Sequence, residues 1–143
     1  MKFVATAVFV AAVVLSPLDY AAAQDATKGA QVFNQCKICH RIGDGAKNLI
    51  GPVLNDVIGR QAGTYEGFHY SALMKAAGEN GLVWSEDIVV QYIADPNAFL
   101  KKFLTDKGKP DLATGNSLMT FKLSDEQMRK DVVAYEATFS PKK

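Results

Sequence analysis

Cys36-Lys37-Ile38-Cys39-His40 is the stretch on which the reading of this chain turns. Two thiols stand three positions apart and a histidine follows directly. They are the only 2 cysteines in 143 residues, which excludes a multi-disulfide scaffold and a four-cysteine zinc site. A thioredoxin-like redox pair would want a βαβ context, and no such pattern surrounds these residues. A disulfide between them would close a tiny loop and stabilise little. Zinc would have to accept adjacent Cys39 and His40 on one tetrahedral ion, with no second cysteine pair to help. The pattern C-x-x-C-H matches covalent attachment of one c-type haem. The spacing lets both thiols reach the vinyl groups on one porphyrin edge, and His40 reaches the iron as proximal ligand.

Working outward, Asp25 to Cys36 predicts a short helix. Asp25 serves as N-cap, Ala26, Ala30 and Phe33 share a face, and Gly29 beside that face lets another helix approach. On the other side, Cys36 to Gly67 carries Gly43, Gly45, Gly51, Gly59, Gly63 and Gly67 without period-2 alternation, which predicts long loops. Tyr70 to Ala77 reads as a short helix stopped by Gly78. Ser85 caps a helix with Glu86 and Asp87 in its first turn and Ile88, Val89, Tyr92 and Ile93 as its stripe. Asp95-Pro96 opens the next helix, striped by Phe99, Leu100, Phe103 and Leu104. Thr105 to Thr120 reads as loop. Ser124 and Gln127 form a capping box for the last helix, with Met128, Val132, Tyr135 and Phe139 as its stripe. The expected fold is all-α: four or five short helices, with loops so long that they need something to wrap around.

The N-terminus reads as an export signal. Lys2 is followed by an apolar run from Phe3 to Leu15, then by small residues ending Ala21-Ala22-Ala23. The run is too short to span a bilayer. Cleavage after Ala23 would leave residues 24–143 as one domain in the periplasm. Composition agrees with a globular domain: 48% hydrophobic and 22% charged residues argue against disorder, and a net charge of +1 gives no global field for nucleic acid.

A second iron ligand can be sought among the remaining methionines and His69. Met128 belongs to a helix stripe and Met74 sits in a short helix, so both read as packing. Met119 lies alone in a loop between Leu118 and Phe121, where its soft sulfur favours ferrous iron. Met119 is the preferred ligand, with His69 or an open iron as alternatives.

An ordered set of motifs extends the pattern over nearly all of residues 24–143. It comprises Gly51-Pro52-x-Leu54, Gly59-Arg60, Gly67-Phe68-x-Tyr70, Gly81-Leu82-Val83-Trp84, Tyr92-Ile93-x-Asp95-Pro96, Phe99-Leu100-Lys101-Lys102 and Met119-Thr120-Phe121. With these, the chain resembles the class I cytochromes c, in particular the bacterial c2 and c550 types. The resemblance implies the class I cytochrome c fold and a set of roles. Pro52 would offer its carbonyl to the free nitrogen of His40. Arg60, Tyr70 and Trp84 would meet the haem propionates. Tyr92 would lie beside Met119, and Gly29 and Phe33 would pack on Tyr135. Ser117 stands where the family often has threonine. The segment from Lys102 to Met119 is longer than in mitochondrial cytochrome c and fits the longer bacterial type.

Two filled axial positions would leave substrate no access to the iron, which points to outer-sphere electron transfer rather than catalysis. The expected function is a soluble, monomeric periplasmic one-electron carrier. It would take electrons from a quinol-oxidising cytochrome bc1-type complex and pass them to a terminal oxidase or a photosynthetic reaction centre. Lys101, Lys102, Lys107 and Lys109 against Asp106 form a local positive patch that would steer an acidic partner. A small haem peroxidase and a gas-binding cytochrome are the competing classes; both need an open iron.

Overall fold

A computed structural model describes residues 23–141. The export segment expected at residues 1–23 lies outside them except for Ala23. Five α-helices are present among the described residues: α1 (Ala26–Val32), α2 (Ala72–Glu79), α3 (Glu86–Tyr92), α4 (Pro96–Asp106) and α5 (Glu126–Ala137). Two short 3-10 segments, Phe33–Ile38 and Pro110–Leu112, complete the helical elements. The extended backbone is limited to one isolated antiparallel bridge, Gln61 to Val83.

The caps explain where most helices start. Asp25 accepts from the N–H groups of Thr27 and Lys28, Ser71 from Met74, Ser85 from Ile88 and Asp95 from Ala98. Each satisfies a first-turn donor that the helix itself leaves unpaired. Pro96 then begins α4 with its fixed φ and no N–H to lose.

Several boundaries differ from the sequence expectation. The α-geometry of the first helix ends at Val32, and the chain tightens into a 3-10 turn through the haem motif. Gly78 does not stop α2. It lies inside it, so close to Ala62 that a Cβ there would sit 1.9 Å from the Ala62 carbonyl oxygen; the chain turns at Gly81 instead, with φ of +93°. The stretch after Thr105 is not all loop: α4 continues to Asp106, and Pro110 starts a further turn. Asp125, one residue later than expected, caps α5 by accepting from the N–H of Met128. A carboxylate one step nearer the helix wins over Ser124. Phe139 lies beyond the end of α5, and the buried face of that helix is Asp131, Val132, Val133 and Glu136.

The packing centre is the crossing of α1 over α5. Gly29 makes it possible: a Cβ there would come 1.9 Å from the carbonyl oxygen of Asp131 and 2.9 Å from Cβ of Tyr135. Phe33, with 0% exposure, stacks on Tyr135 at 5.3 Å between ring centroids, as the resemblance implied. Full burial of such a ring is worth about 2–3 kcal/mol. Asp131 ties the two helices further, accepting from the backbone N–H of Asp25 at 2.9 Å and from the Gln127 amide at 2.8 Å. The rest of the chain, chiefly the loop from Cys39 to Ser71 and the segment from Ala113 to Leu123, closes around the other side of the core.

Candidate functional site

That side of the core is a cavity of about 310 Å³. Its wall includes Cys36, Cys39, His40, Pro52, Arg60, Tyr70, Trp84, Tyr92 and Met119. These nine residues come from seven separate stretches of chain. All the cofactor-binding and metal-ligating residues expected from the sequence therefore meet in one place.

The haem motif is shaped by its own turn. The N–H groups of Cys39 and His40 both donate to the carbonyl of Cys36, at 3.0 and 2.9 Å. This brings both free thiols and the imidazole to the same cavity. Gly51 donates its N–H to the Cys39 carbonyl at 2.8 Å, and the loop then presses flat on the imidazole. Any side chain at 51 would collide, since a Cβ would lie 2.4 Å from Cε1 of His40. The next residue supplies the orienting contact. Nδ1 of His40 lies 2.8 Å from the Pro52 carbonyl oxygen, which can only accept, so the proton is on Nδ1 and Nε2 carries the free lone pair. Burial lowers the His40 pKa, and the bond to Pro52 partly opposes it. The ring is thus held neutral and ready to ligate.

Met119 is half-buried in a loop pinned at both ends. Upstream, the Ser117 N–H donates to Oδ1 of Asn97 at 2.9 Å, and the Met119 N–H donates to Oγ of Ser117 at 3.2 Å. Downstream, the Leu123 N–H donates to the Ile93 carbonyl at 2.9 Å, and Lys122 pairs with Asp95 at 2.6 Å. A loop methionine is thereby placed by the ends of α3 and α4. Tyr92 is buried and its pKa is pushed up to about 12, mainly by burial, with a hydrogen bond to Ser117 drawing it back. The hydroxyl thus has its partner two residues before Met119. The other ligand candidates separate cleanly. Met74 is buried in the cavity wall, Met128 packs at the edge of the core away from it, and His69 is exposed outside it.

Arg60 is the one cationic side chain in the wall. It donates to the carbonyls of Asn55 at 2.9 Å and Val53 at 3.2 Å and stacks over Tyr65 at 4.7 Å. Burial lowers its pKa, while Tyr70, Tyr65 and Asp56 pull it back up. Its guanidinium keeps further N–H donors for an anionic group. Trp84 is fixed by backbone bonds to Gly59 and Arg60, and its ring packs on Tyr92 at 4.8 Å.

The wall is otherwise apolar. Its rim carries the exposed side chains Ile38, Ile50, Leu118 and Phe121. None of Lys101, Lys102, Lys107 and Lys109 lines the cavity. Lys102 pairs with Asp106 at 2.6 Å, and Lys107 lies over the Phe103 ring at 5.4 Å. Sequence reading missed one wall residue of chemical interest, Glu136. The signal was present: position 136 is four after Val132 and three after Val133, and so falls on the buried face of the last helix.

The donor set suits haem c. Two thiols, an imidazole with Nε2 free and a thioether converge on an apolar cavity, with one cation for the carboxylate edge of a porphyrin. Zinc fits less well, since no group of three or more His, Cys, Asp or Glu clusters among the described residues. Thiol exchange fits less well too: the Cys36 thiol is pushed up to about 12, first by burial and then by Glu136 and Cys39, away from the reactive thiolate.

No protein-family model matches the chain. Individual relatives do. A cytochrome c2 from Rhodopseudomonas palustris is 64% identical over 115 residues, covering 80% of this chain and 98% of the relative. Cytochrome c2 iso-1 from Rhodospirillum centenum is 60% identical over 116 residues, covering 81% of this chain and 97% of the relative. The solved structure of cytochrome c2 from Rhodospirillum centenum superposes with a TM-score of 0.81 at 57% identity, covering 82% of this chain and 99% of that one. The architecture is therefore the class I cytochrome c fold expected from the motifs. Identity at this level, over nearly the whole of the relatives, places the chain in the cytochrome c2 family of class I cytochromes c.

Proposed function

We propose that this chain is a soluble periplasmic one-electron carrier holding one covalently bound haem c. The observation that carries the reading is the convergence of Cys36, Cys39, His40 and Met119 on one apolar cavity. When bound, the haem supplies a centre that gains and loses one electron.

The chain's own residues account for the rest. Cys36 and Cys39 would anchor the group through thioethers, and His40 and Met119 would ligate its iron. Pro52 and Gly51 fix the imidazole ring, so its orientation need not change between redox states. Ser117 and Asn97 do the same for Met119. Arg60, Tyr70 and Trp84 would meet the propionates. The apolar wall excludes water and limits reorganisation when charge changes. Met119 in the wall argues against the peroxidase and gas-binding readings, both of which need an open iron.

Export by residues 1–23 would place the carrier in the periplasm. There it would shuttle electrons, as a monomer, from a cytochrome bc1-type complex to a terminal oxidase or a photosynthetic reaction centre. Partners would meet the rim at Ile38, Ile50, Leu118 and Phe121, with Lys101, Lys102, Lys107 and Lys109 steering from outside it. Transfer to an acidic partner is then expected to slow steeply with salt; a salt-independent rate would remove the steering role.

The experiment is the ferric absorption spectrum of the haem-loaded chain beside Met119→Ala. The weak far-red band of methionine sulfur on ferric iron is expected in the parent and absent from the variant. A high-spin parent spectrum would overturn the carrier reading in favour of an open-iron protein.

A further inference from the structure

Glu136 is the one carboxylate among the residues that line the cavity, and it is 5% exposed. Among the described residues, no hydrogen bond or ion pair reaches its carboxyl. The contrast is Asp131 on the same helix, equally buried at 4% but held by two donors. A buried carboxylate without partners is costly, and its charge is poorly screened by the apolar wall. An unpaired acid therefore stands at the place where a redox centre would change its charge by one.

The charged and titratable groups on α5 and on the elements packed against it can be named. On its own helix, Arg129 is turned to the carbonyls of Leu123 and Ser124, Lys130 pairs with Glu126, and Asp131 is bound to Asp25 and Gln127. From the helix and 3-10 turn packed across α5 come Asp25, Lys28, Cys36 and Lys37. From the loop bonded to the Phe139 carbonyl comes Asp56, and from α3 come Glu86 and Asp87. Of these, the Cys36 thiol feels the carboxylate, which adds to the effect of burial in raising its pKa. Within the cavity the other titratable groups are Cys39, His40, Arg60, Tyr70 and Tyr92.

We propose that Glu136 is a redox-linked proton site, taking up a proton as the haem held in this cavity is reduced and releasing it on oxidation. The proposal rests on the haem reading above. The step balances as follows: ferric iron gains one electron from a one-electron donor, and the Glu136 carboxylate gains one proton from solvent, forming an O–H bond. The reverse step returns the electron to an acceptor and the proton to solvent. Its physical cause is Coulombic. An anionic Glu136 favours the more positive ferric state, so reduction raises the carboxyl's affinity for a proton. By reciprocity, the proton raises the affinity for the electron equally. Burial alone sets the carboxyl at about 8, within reach of physiological pH.

The test is the equilibrium reduction potential of the holoprotein as a function of pH, for the parent, Glu136→Gln and Glu136→Leu. Across about two pH units either side of the carboxyl's midpoint, the ferrous-to-ferric ratio at fixed applied potential should fall on the order of tenfold in the parent. Both variants should be flat through that window. A redox-induced infrared difference spectrum of the parent should show a protonated carboxyl stretch gained on reduction; it should be lost in Glu136→Gln. An unchanged pH profile in Glu136→Gln, or a parent spectrum without the carboxyl band, overturns the proposal even where a variant folds poorly. Mass measurement separates the two levels: a chain without covalently added haem overturns the carrier reading itself. A haem-loaded chain with a flat parent profile overturns only the proton site.

Discussion

The two ends of the buried face of α5 differ in what backs them. Around Asp131 the helix meets protein: the Gly29 and Asp25 backbone press on it, and even its buried carboxylate, Asp131, is fully engaged. Five residues on, the same face meets the cavity, and the carboxylate there, Glu136, has no donor from the described chain. One helix thus serves two kinds of core. The first is closed by the chain alone; the second is shaped by loops whose polar groups are spent on one another, leaving an apolar wall. The lesson is that stability and function are divided along the helix, the crossing holding the fold and the far end facing the redox site.

Substitutions should separate the two ends. Phe33→Ala should have the largest effect, about 4 kcal/mol of lost stability in denaturant unfolding, because a fully buried ring leaves a void at the crossing. Gly29→Ala should follow at about 3 kcal/mol, since its Cβ would strike backbone rather than a side chain that could move. Both should act globally. If either changed the cavity's ligation and left unfolding untouched, the division along α5 would be wrong.

Glu136→Gln should act in the opposite sense and only with pH. Its folded pKa of about 8 stands above the ordinary value of 4.5, so the folded state binds the extra proton between them. The parent's stability contribution from this group is full below the lower value and falls as pH rises through the higher one. The variant should therefore match the parent near the acid end and exceed it on the alkaline side, measured by unfolding at each pH. A difference independent of pH would mean that Glu136 is not buried as a titrating acid.

Asn97→Ala removes one tether of the Met119 loop. The expected cost is about 1 kcal/mol in unfolding, accompanied by faster displacement of Met119 by added imidazole in the ferric protein. Lys102→Ala, at an exposed pair with Asp106, should change stability by about 0.5 kcal/mol or less. It sharpens the comparison by showing what a residue belonging to neither core contributes.

Local chemistry was legible wherever a residue's effect stays within a turn of its own position. Asp25, Ser85 and Asp95 cap helices because their side chains reach donors two or three residues away. Pro96 starts a helix for reasons internal to its ring. Cys36, Cys39 and His40 form one unit by spacing alone. The errors fell where neighbours distant in sequence decide. Gly78 reads as a stop until Ala62 is found packed against it, and Asp125 wins the cap from Ser124 by a fraction of a turn. A charged residue in a late helix turn, such as Glu136, reads as solvated surface until the segments that close over it are known.

By itself, then, the sequence determined the attachment motif, the all-α class, three of the five helix caps and the set of residues able to form the site. Only the tertiary structure decided that nine of them line one cavity, that Ser117 and Asn97 hold the loop of Met119, and that the expected docking lysines stand outside the cavity wall. It alone decided that one of two buried carboxylates on α5 is left unpaired. The physical reason is range. Capping and covalent spacing act over a few residues and are written in local order. Desolvation depends on everything that surrounds a group, and that is settled only when distant segments close around it.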